Sequence, residues 1–158
     1  VWVRGGHPLD GHDHCDRGHV NFTFRGKPIL IEAGTPSYDN PAIDELYCSV
    51  RGHNVLEVPD ATVKRTPAAI TVARLDRSGG DVTVDASAGY AAVESWRRRV
   101  QWDSSHIEVD DAVVFPDDAH AARPRPPVAE KEIAFHHAAI AVAQRQGAFA
   151  VNEGVVAV

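Results

Sequence analysis

Residues 20–31 have the sequence Val20-Asn21-Phe22-Thr23-Phe24-Arg25-Gly26-Lys27-Pro28-Ile29-Leu30-Ile31. Every second side chain from Val20 to Phe24 is apolar, which is the period-two pattern of a half-buried strand. Arg25-Gly26-Lys27 forms a short connection to a second apolar run. The stretch therefore predicts an antiparallel β-hairpin.

Further strand-like runs follow the hairpin, separated by Gly, Pro and Asp, at residues 46–51, 54–58, 69–75, 81–86, 94–102 and 106–115. This spacing is typical of an antiparallel all-β sandwich. Residues 130–144 are interpreted as another strand, although their alanines favour a helix, because an all-β neighbourhood supplies pairing partners. We expect one domain over residues 1–158, with a flexible loop at 116–129.

The composition limits the class of protein. The chain has 158 residues and a net charge of −6, and 44% of its residues are hydrophobic and 24% charged, which suits one globular domain. A nucleic-acid binder needs a basic face, so none is expected. No run of about 18 apolar residues predicts a membrane span. The chain contains no methionine, so we expect the native protein to begin upstream of Val1.

Five of the nine histidines lie in the first third of the chain, and the densest group is Gly11-His12-Asp13-His14-Cys15-Asp16. If this segment is extended, His12, His14 and Asp16 share one face. Two imidazoles and a carboxylate suit a divalent transition metal, or one metal-binding histidine beside a free acid–base histidine. A histidine-rich surface loop without a ligand fits the spacing equally well.

Two later positions favour a metal. Glu32 follows an apolar strand, where a carboxylate needs a cation or several donors. His53 lies in Arg51-Gly52-His53-Asn54, where the glycine permits close backbone approach. An extended segment over residues 47–53 would place Arg51 and His53 on one face. Cys48 would lie on the opposite face of this segment, and Cys15 would point away from the face of His12 and His14. Both cysteines are therefore predicted to be core thiols and not ligands.

These motifs, in order, resemble the C-terminal β-sandwich domain of heparinase II/III-like polysaccharide lyases. The resemblance rests on Gly11–Asp16, Val20-Asn21-Phe22, residues 26–35, Tyr38, Tyr47 and Arg51–Asn54. It implies a supersandwich-like domain preceded by an α/α toroid, with the active site in the cleft between them. This all-β sequence has no segment for a toroid. The resemblance also implies export to the periplasm or outside the cell.

The resemblance implies a role for each candidate residue. One zinc ion would be held by His14, Glu32 and His53, although the family commonly has aspartate at the position of Glu32. His12 would accept a proton from the sugar, or neutralise charge on it. Arg51, Asn54 and Tyr38 would donate hydrogen bonds to the substrate.

The implied reaction is β-elimination on an acidic polysaccharide or oligouronide. A base removes the C5 proton, which is alpha to the uronate carboxylate, and the C4–O bond breaks. The carboxylate must be neutralised as it becomes enolate-like. Zinc would neutralise charge, or only hold the strands that orient His12. Without its toroid, the domain is expected to be inactive or weakly active.

Two alternatives remain open from the sequence. A cupin-like metalloenzyme also begins with His-x-His, but its glutamate normally follows within a few residues, whereas Glu32 comes eighteen residues after His14. A non-catalytic carbohydrate-binding sandwich would stack sugars on Tyr90, Trp96 and Trp102, although packing in the core is the favoured role for these aromatics. Residues 97–99, three consecutive arginines, are predicted to lie on a solvated strand or turn, with the middle one pointing away from its neighbours.

Overall fold

The computed structural model describes residues 1–116 and the backbone of residues 134–135. The nine strands are β1 (Trp2–Val3), β2 (Val20–Phe24), β3 (Lys27–Leu30), β4 (Leu56–Glu57), β5 (Ala69–Asp76), β6 (Gly79–Asp85), β7 (Ser95–Trp102), β8 (Ile107–Val114) and β9 (Ala134–Phe135). A π-helical turn spans Ile43–Tyr47, and two 3₁₀ turns span Val50–Gly52 and Ser87–Gly89. No helix in the described part of the chain is long and apolar enough to cross a membrane.

The strands form an antiparallel sandwich, as the sequence predicts. One sheet has the order β1-β2-β3, a larger one has the order β5-β6-β7-β8, and β4 pairs with β9. Side chains of β2 and β3 (Val20, Phe22, Leu30) pack against Val100 of β7 and Ile107 of β8. Because that cluster joins the three-stranded sheet to the four-stranded one, it is the contact between the two layers.

The predicted hairpin over residues 20–31 is confirmed. Phe24 pairs with Lys27, and a bulge interrupts the register between Phe22 and Thr23. Arg25 and Gly26 both have positive φ, 49° and 76°. Two consecutive positive φ values are typical of the tight turn whose twist matches the flanking strands.

The predicted strands at 69–75, 81–86, 94–102 and 106–115 are confirmed as β5 to β8, within two residues at each end. The strand at 54–58 shrinks to β4. Within the segment 130–144 only β9 is described, and it is a strand that pairs with β4. The predicted loop at 116–129 lies outside the described residues, apart from Pro116.

The prediction of a strand over residues 46–51 is wrong. Asn40 accepts a hydrogen bond from the backbone N–H of Ala42 through its side chain, and the Ala42 carbonyl then accepts from Leu46. Asp44 and Glu45 occupy the first turn, where acidic side chains favour a helix. Local turn hydrogen bonds and the acidic first turn therefore prevail over the alternating pattern, and the shared face expected for residues 47–53 does not form.

Strand β7 shows the alternation predicted for the three arginines. Arg97 and Arg99 point outward and pair with Asp85 and Asp81 of β6. Arg98 points inward and is 4% exposed, so it is buried and not solvated as expected. The same alternation buries Trp96 completely.

Candidate metal centre

Three side chains converge from loops that flank strands β2, β3 and β4. His14 lies in the loop before β2, Glu32 lies two residues after β3, and His53 directly follows the 3₁₀ turn Val50–Gly52. Their ligand atoms all lie within 4.8 Å of one another. His14 Nδ1 is 3.3 Å from His53 Nε2, which is 3.4 Å from a Glu32 carboxylate oxygen. The three residues predicted as ligands are thus brought together.

The orientation of His53 is fixed by a backbone carbonyl. Its Nδ1 lies 2.8 Å from the oxygen of Ser49, to which it can only donate a proton. The neutral ring then presents the lone pair of Nε2 to His14 and Glu32. A histidine held in this way by its other nitrogen is the usual arrangement for a metal ligand.

The charges of the cluster suit a cation. Burial lowers the pKa of His14, with a smaller contribution from the charge that His53 carries when protonated, and so favours the neutral, ligating form of His14. Glu32 contributes a carboxylate whose side chain is 38% exposed. Two neutral imidazoles and one carboxylate are a donor set that divalent transition metals accept.

A buried arginine holds the loop that carries His14. Arg17 is 2% exposed and donates to the Asp13 carboxylate (2.8 and 2.6 Å), the Asp16 carboxylate (2.9 Å) and the His14 carbonyl (3.1 Å). These hydrogen bonds, chiefly that to Asp13, raise the pKa of Arg17. Arg4 binds Asp13 and Asp16 from another side. The loop is therefore fixed by charge pairs and not by sheet pairing.

The prediction that His12, His14 and Asp16 share one face of an extended segment is wrong. His12 has a φ of 55°, so the segment is not extended. Asp16 binds arginines and does not belong to the ligand cluster. Cys15 and Cys48 are free thiols outside the cluster, and both are half-buried, whereas the sequence predicted core thiols.

An open cleft of about 540 Å³ borders the cluster, and its lining includes His12, His14, Tyr38, Asp44 and Arg65. His12 and Tyr38 are both exposed, and His12 Nδ1 is hydrogen-bonded to the Tyr38 hydroxyl. Two of the predicted substrate-facing residues, His12 and Tyr38, therefore lie together beside a metal ligand.

The other two predicted substrate donors lie elsewhere. Arg51 does not line the cleft, and it binds Glu57 at 3.2 Å and approaches Glu45 at 3.8 Å. Asn54 is buried, and its carboxamide accepts from the Val20 N–H and donates to the Val20 carbonyl, both at 2.9 Å. Asn54 thus ties the loop after His53 to the hairpin.

Sequence reasoning assigned no role to Arg17 or Arg65 and left His19 undecided. His19 is fully buried, accepts from the Asn54 N–H at 3.1 Å and lies edge-on to His53, with ring centres 5.3 Å apart. Burial lowers its pKa to about 4, so it packs as a neutral ring behind the cluster. The recurring Arg-Gly-His tripeptide, at residues 17–19 and 51–53, was a signal in the sequence for His19, because the histidine of one copy is a cluster member and that of the other packs against it.

The aromatic platform of the carbohydrate-binding alternative is not on the surface. Trp96 is fully buried, and Tyr90 is 3% exposed and donates to the Leu56 carbonyl at 3.0 Å. Trp102 packs partly buried against the cluster between the two layers. The three aromatics therefore have the core role favoured from the sequence.

Comparison with known protein families identifies the family of this chain. Neither the curated proteins nor the solved structures contain a match to this chain. The family described as "Heparinase II/III-like, C-terminal" matches residues 3–154, which is nearly the whole sequence. With its antiparallel sandwich and the cluster of His14, Glu32 and His53, the chain belongs to the heparinase II/III-like C-terminal family.

Proposed function

We propose that this domain holds one zinc ion through His14, Glu32 and His53, and that it serves a lyase that cleaves uronate-containing polysaccharide by β-elimination. The observation that carries the proposal is the convergence of three donor atoms beside a cleft that also contains His12 and Tyr38. Membership of the family supports the lyase class.

The donor separations fit zinc. Bond lengths of about 2.0–2.1 Å at a tetrahedral ion place neighbouring ligand atoms about 3.3 Å apart. Two of the three separations, 3.3 Å between His14 and His53 and 3.4 Å between His53 and Glu32, match this value, and the third, between His14 and Glu32, is within 4.8 Å. Three protein ligands leave one coordination position open, as in catalytic zinc sites. When bound, zinc supplies positive charge that favours a developing enolate.

His12 and Tyr38 divide the proton transfers. When the ring proton of His12 is on Nδ1, this nitrogen donates a hydrogen bond to the Tyr38 hydroxyl oxygen. His12 Nε2 is then free to accept the C5 proton of the sugar. The C4–C5 double bond forms as the C4–O bond breaks. In this arrangement the Tyr38 hydroxyl accepts from His12, so its own O–H is available to give a proton to the leaving oxygen.

Metal analysis tests the first half of this proposal. The purified parent should contain about one zinc per chain, and His53→Ala should contain none. His106→Ala is the matched control, since His106 is exposed and binds Asp103 away from the cluster. A parent protein without zinc after incubation with the ion, or a His53→Ala variant that keeps it, would contradict the assignment.

The second half of the proposal is tested on a protein in which this domain follows the α/α toroid that the resemblance implies. Incubated with alginate or heparan sulfate, it should produce the ultraviolet absorbance of an unsaturated uronate. The His12→Ala variant should lose this activity while keeping its zinc. A zinc-loaded protein that eliminates on no uronate polymer would remove the lyase assignment and leave the metal site standing.

A further inference from the structure

One guanidinium on the wall of the cleft has no partner among residues 1–116. Arg65 is exposed, and its side chain forms no hydrogen bond or ion pair with any described residue. The neighbouring carboxylates Asp10 and Asp13 are already paired, with Arg4 at 2.7 Å and with Arg17 at 2.6 Å. No carboxylate in the described part of the chain therefore forms an ion pair with Arg65 beside the predicted ligands.

The backbone of Arg65 is held in register with the histidine loop. Arg17 donates to the Arg65 carbonyl at 2.6 Å and, through the same buried guanidinium, to the His14 carbonyl. Arg17 thus connects two segments of chain 48 residues apart. The backbone of Arg65 is thereby held close to that of His14 by contacts within the protein, without a substrate.

The rest of the molecule gives an anionic ligand little attraction. The chain carries a net charge of −6, so a polyanion is repelled except where a local cation compensates. Arg51, the cation expected from the sequence to serve this purpose, is occupied by Glu57 outside the cleft. Arg65 lies in the cleft, and the planar fork of an arginine can bind both oxygens of a carboxylate.

We propose that Arg65 binds the carboxylate of a uronate unit in the cleft and holds that sugar beside His12. This inference rests on the proposed function, because it names the group of the substrate that the cleft recognises. Asp44, which lines the same cleft without an ion-pair partner among the described residues, is available to accept hydrogen bonds from sugar hydroxyls.

Calorimetry on the purified zinc-loaded chain tests the inference. The probes are tetrasaccharides of alginate and of heparan sulfate, titrated into the parent, Arg65→Gln, Arg65→Lys and, as matched control, Arg51→Gln. Loss of a charge-assisted pair predicts an affinity about ten- to hundredfold weaker for Arg65→Gln. Arg65→Lys should retain part of the affinity, because it keeps the charge without the fork. Arg51→Gln should bind as the parent does, and every variant should keep its zinc and its melting temperature.

A carboxyl-reduced heparan sulfate tetrasaccharide identifies the group that Arg65 contacts. The difference between the parent and Arg65→Gln should vanish on this probe; a difference that persists would assign Arg65 to sulfate and overturn the proposal. Equal affinity of the parent and Arg65→Gln for the unmodified probes would also overturn it, as would a parent that binds neither tetrasaccharide. Arg65-dependent binding in a protein that performs no elimination would instead refute only the lyase function.

Discussion

Arg98 connects the four-stranded sheet to both loops that carry the clustered histidines. Its guanidinium binds the Asp111 carboxylate through two hydrogen bonds, of 2.9 and 2.7 Å. It also donates to the carbonyl of Gly18 at 3.0 Å and to that of Asn54. Gly18 lies four residues after His14, and Asn54 follows His53. We therefore predict that Arg98→Ala destabilises the fold and weakens zinc binding together.

The size of the effect follows from burial. The side chains of Arg98 and Asp111 are only 5% and 10% exposed. Without the arginine, Asp111 keeps its hydrogen bond from the Trp96 indole N–H but loses its cation. Removing one partner of a buried ion pair costs about 3–5 kcal/mol. At about 2–4 °C per kcal/mol for a chain of this size, the melting temperature should fall by about 6–20 °C.

Thermal unfolding followed by circular dichroism measures this difference, in chelator and in excess zinc. Arg97→Ala is the matched control, since Arg97 is the adjacent residue of β7 and its pair with Asp85 is largely exposed. Exposed pairs contribute about 0.2–1 kcal/mol, so the control should melt within about 4 °C of the parent. If Arg98→Ala melts no lower than this control, the pair does not hold the two loops together and the reasoning fails.

Three further predictions concern the loops and the outer sheet. A Cβ at Gly52 would lie 2.8 and 3.0 Å from two backbone carbonyl oxygens, so Gly52→Ala should displace the following histidine and weaken zinc in chelator competition; Gly11→Ala, which meets nothing within 4 Å, should not. Asn54→Ala leaves the buried N–H and carbonyl of Val20 without their side-chain partner and should lower the free energy of unfolding in urea by about 1–3 kcal/mol; an unchanged free energy of unfolding would contradict this structural role of Asn54. Hydrogen bonding from Ser87, opposed by burial, lowers the pKa of Asp85 below 3.8. Its contribution is therefore present above pH 3.8 and disappears as the pH falls through the folded-state pKa. Asp85→Asn should accordingly melt below the parent at pH 7, and the difference should close in acid; a gap that is independent of pH would contradict this.

The elements predicted correctly depend on contacts between neighbours in sequence. The hairpin at 20–31 follows from alternating apolar side chains and from a turn whose two central residues take positive φ. Strands β5 to β8 follow from the same alternation. The segment 46–51 also alternates, but the turn bond from Ala42 N–H to the Asn40 side chain and the acidic first turn lie before it in the sequence. A period of two is therefore not sufficient to predict a strand where residues that favour a helical turn precede it.

The site was predictable in part, for a similar reason. The ligands His14, Glu32 and His53 were identified because their residue types and order resemble a known family. The arginines that hold the ligand loops in place were not identified, because they contact residues far away in the sequence. Arg17 reaches Arg65 over 48 residues, and Arg98 reaches Gly18 over 80. An arginine that will be buried against a distant carbonyl has the same local pattern as one on a solvated strand, and this explains the error at Arg98.

These distant supports also explain why the cluster favours a cation. The Ser49 carbonyl accepts a hydrogen bond from the Nδ1–H of His53, which is the only N–H of the neutral ring. Arg17 fixes the backbone at His14 through a hydrogen bond to its carbonyl. His53 Nε2 lies 3.3 Å from His14 Nδ1 and 3.4 Å from a Glu32 carboxylate oxygen. A neutral His14 can carry its one ring proton on Nδ1 and donate a hydrogen bond to His53 Nε2, or carry it on Nε2 and leave the Nδ1 lone pair for a cation. Burial lowers the pKa of His14 and so disfavours the doubly protonated ring, which has no lone pair for a metal. The fold thus holds two imidazoles and a carboxylate together in a form in which they can act as ligands.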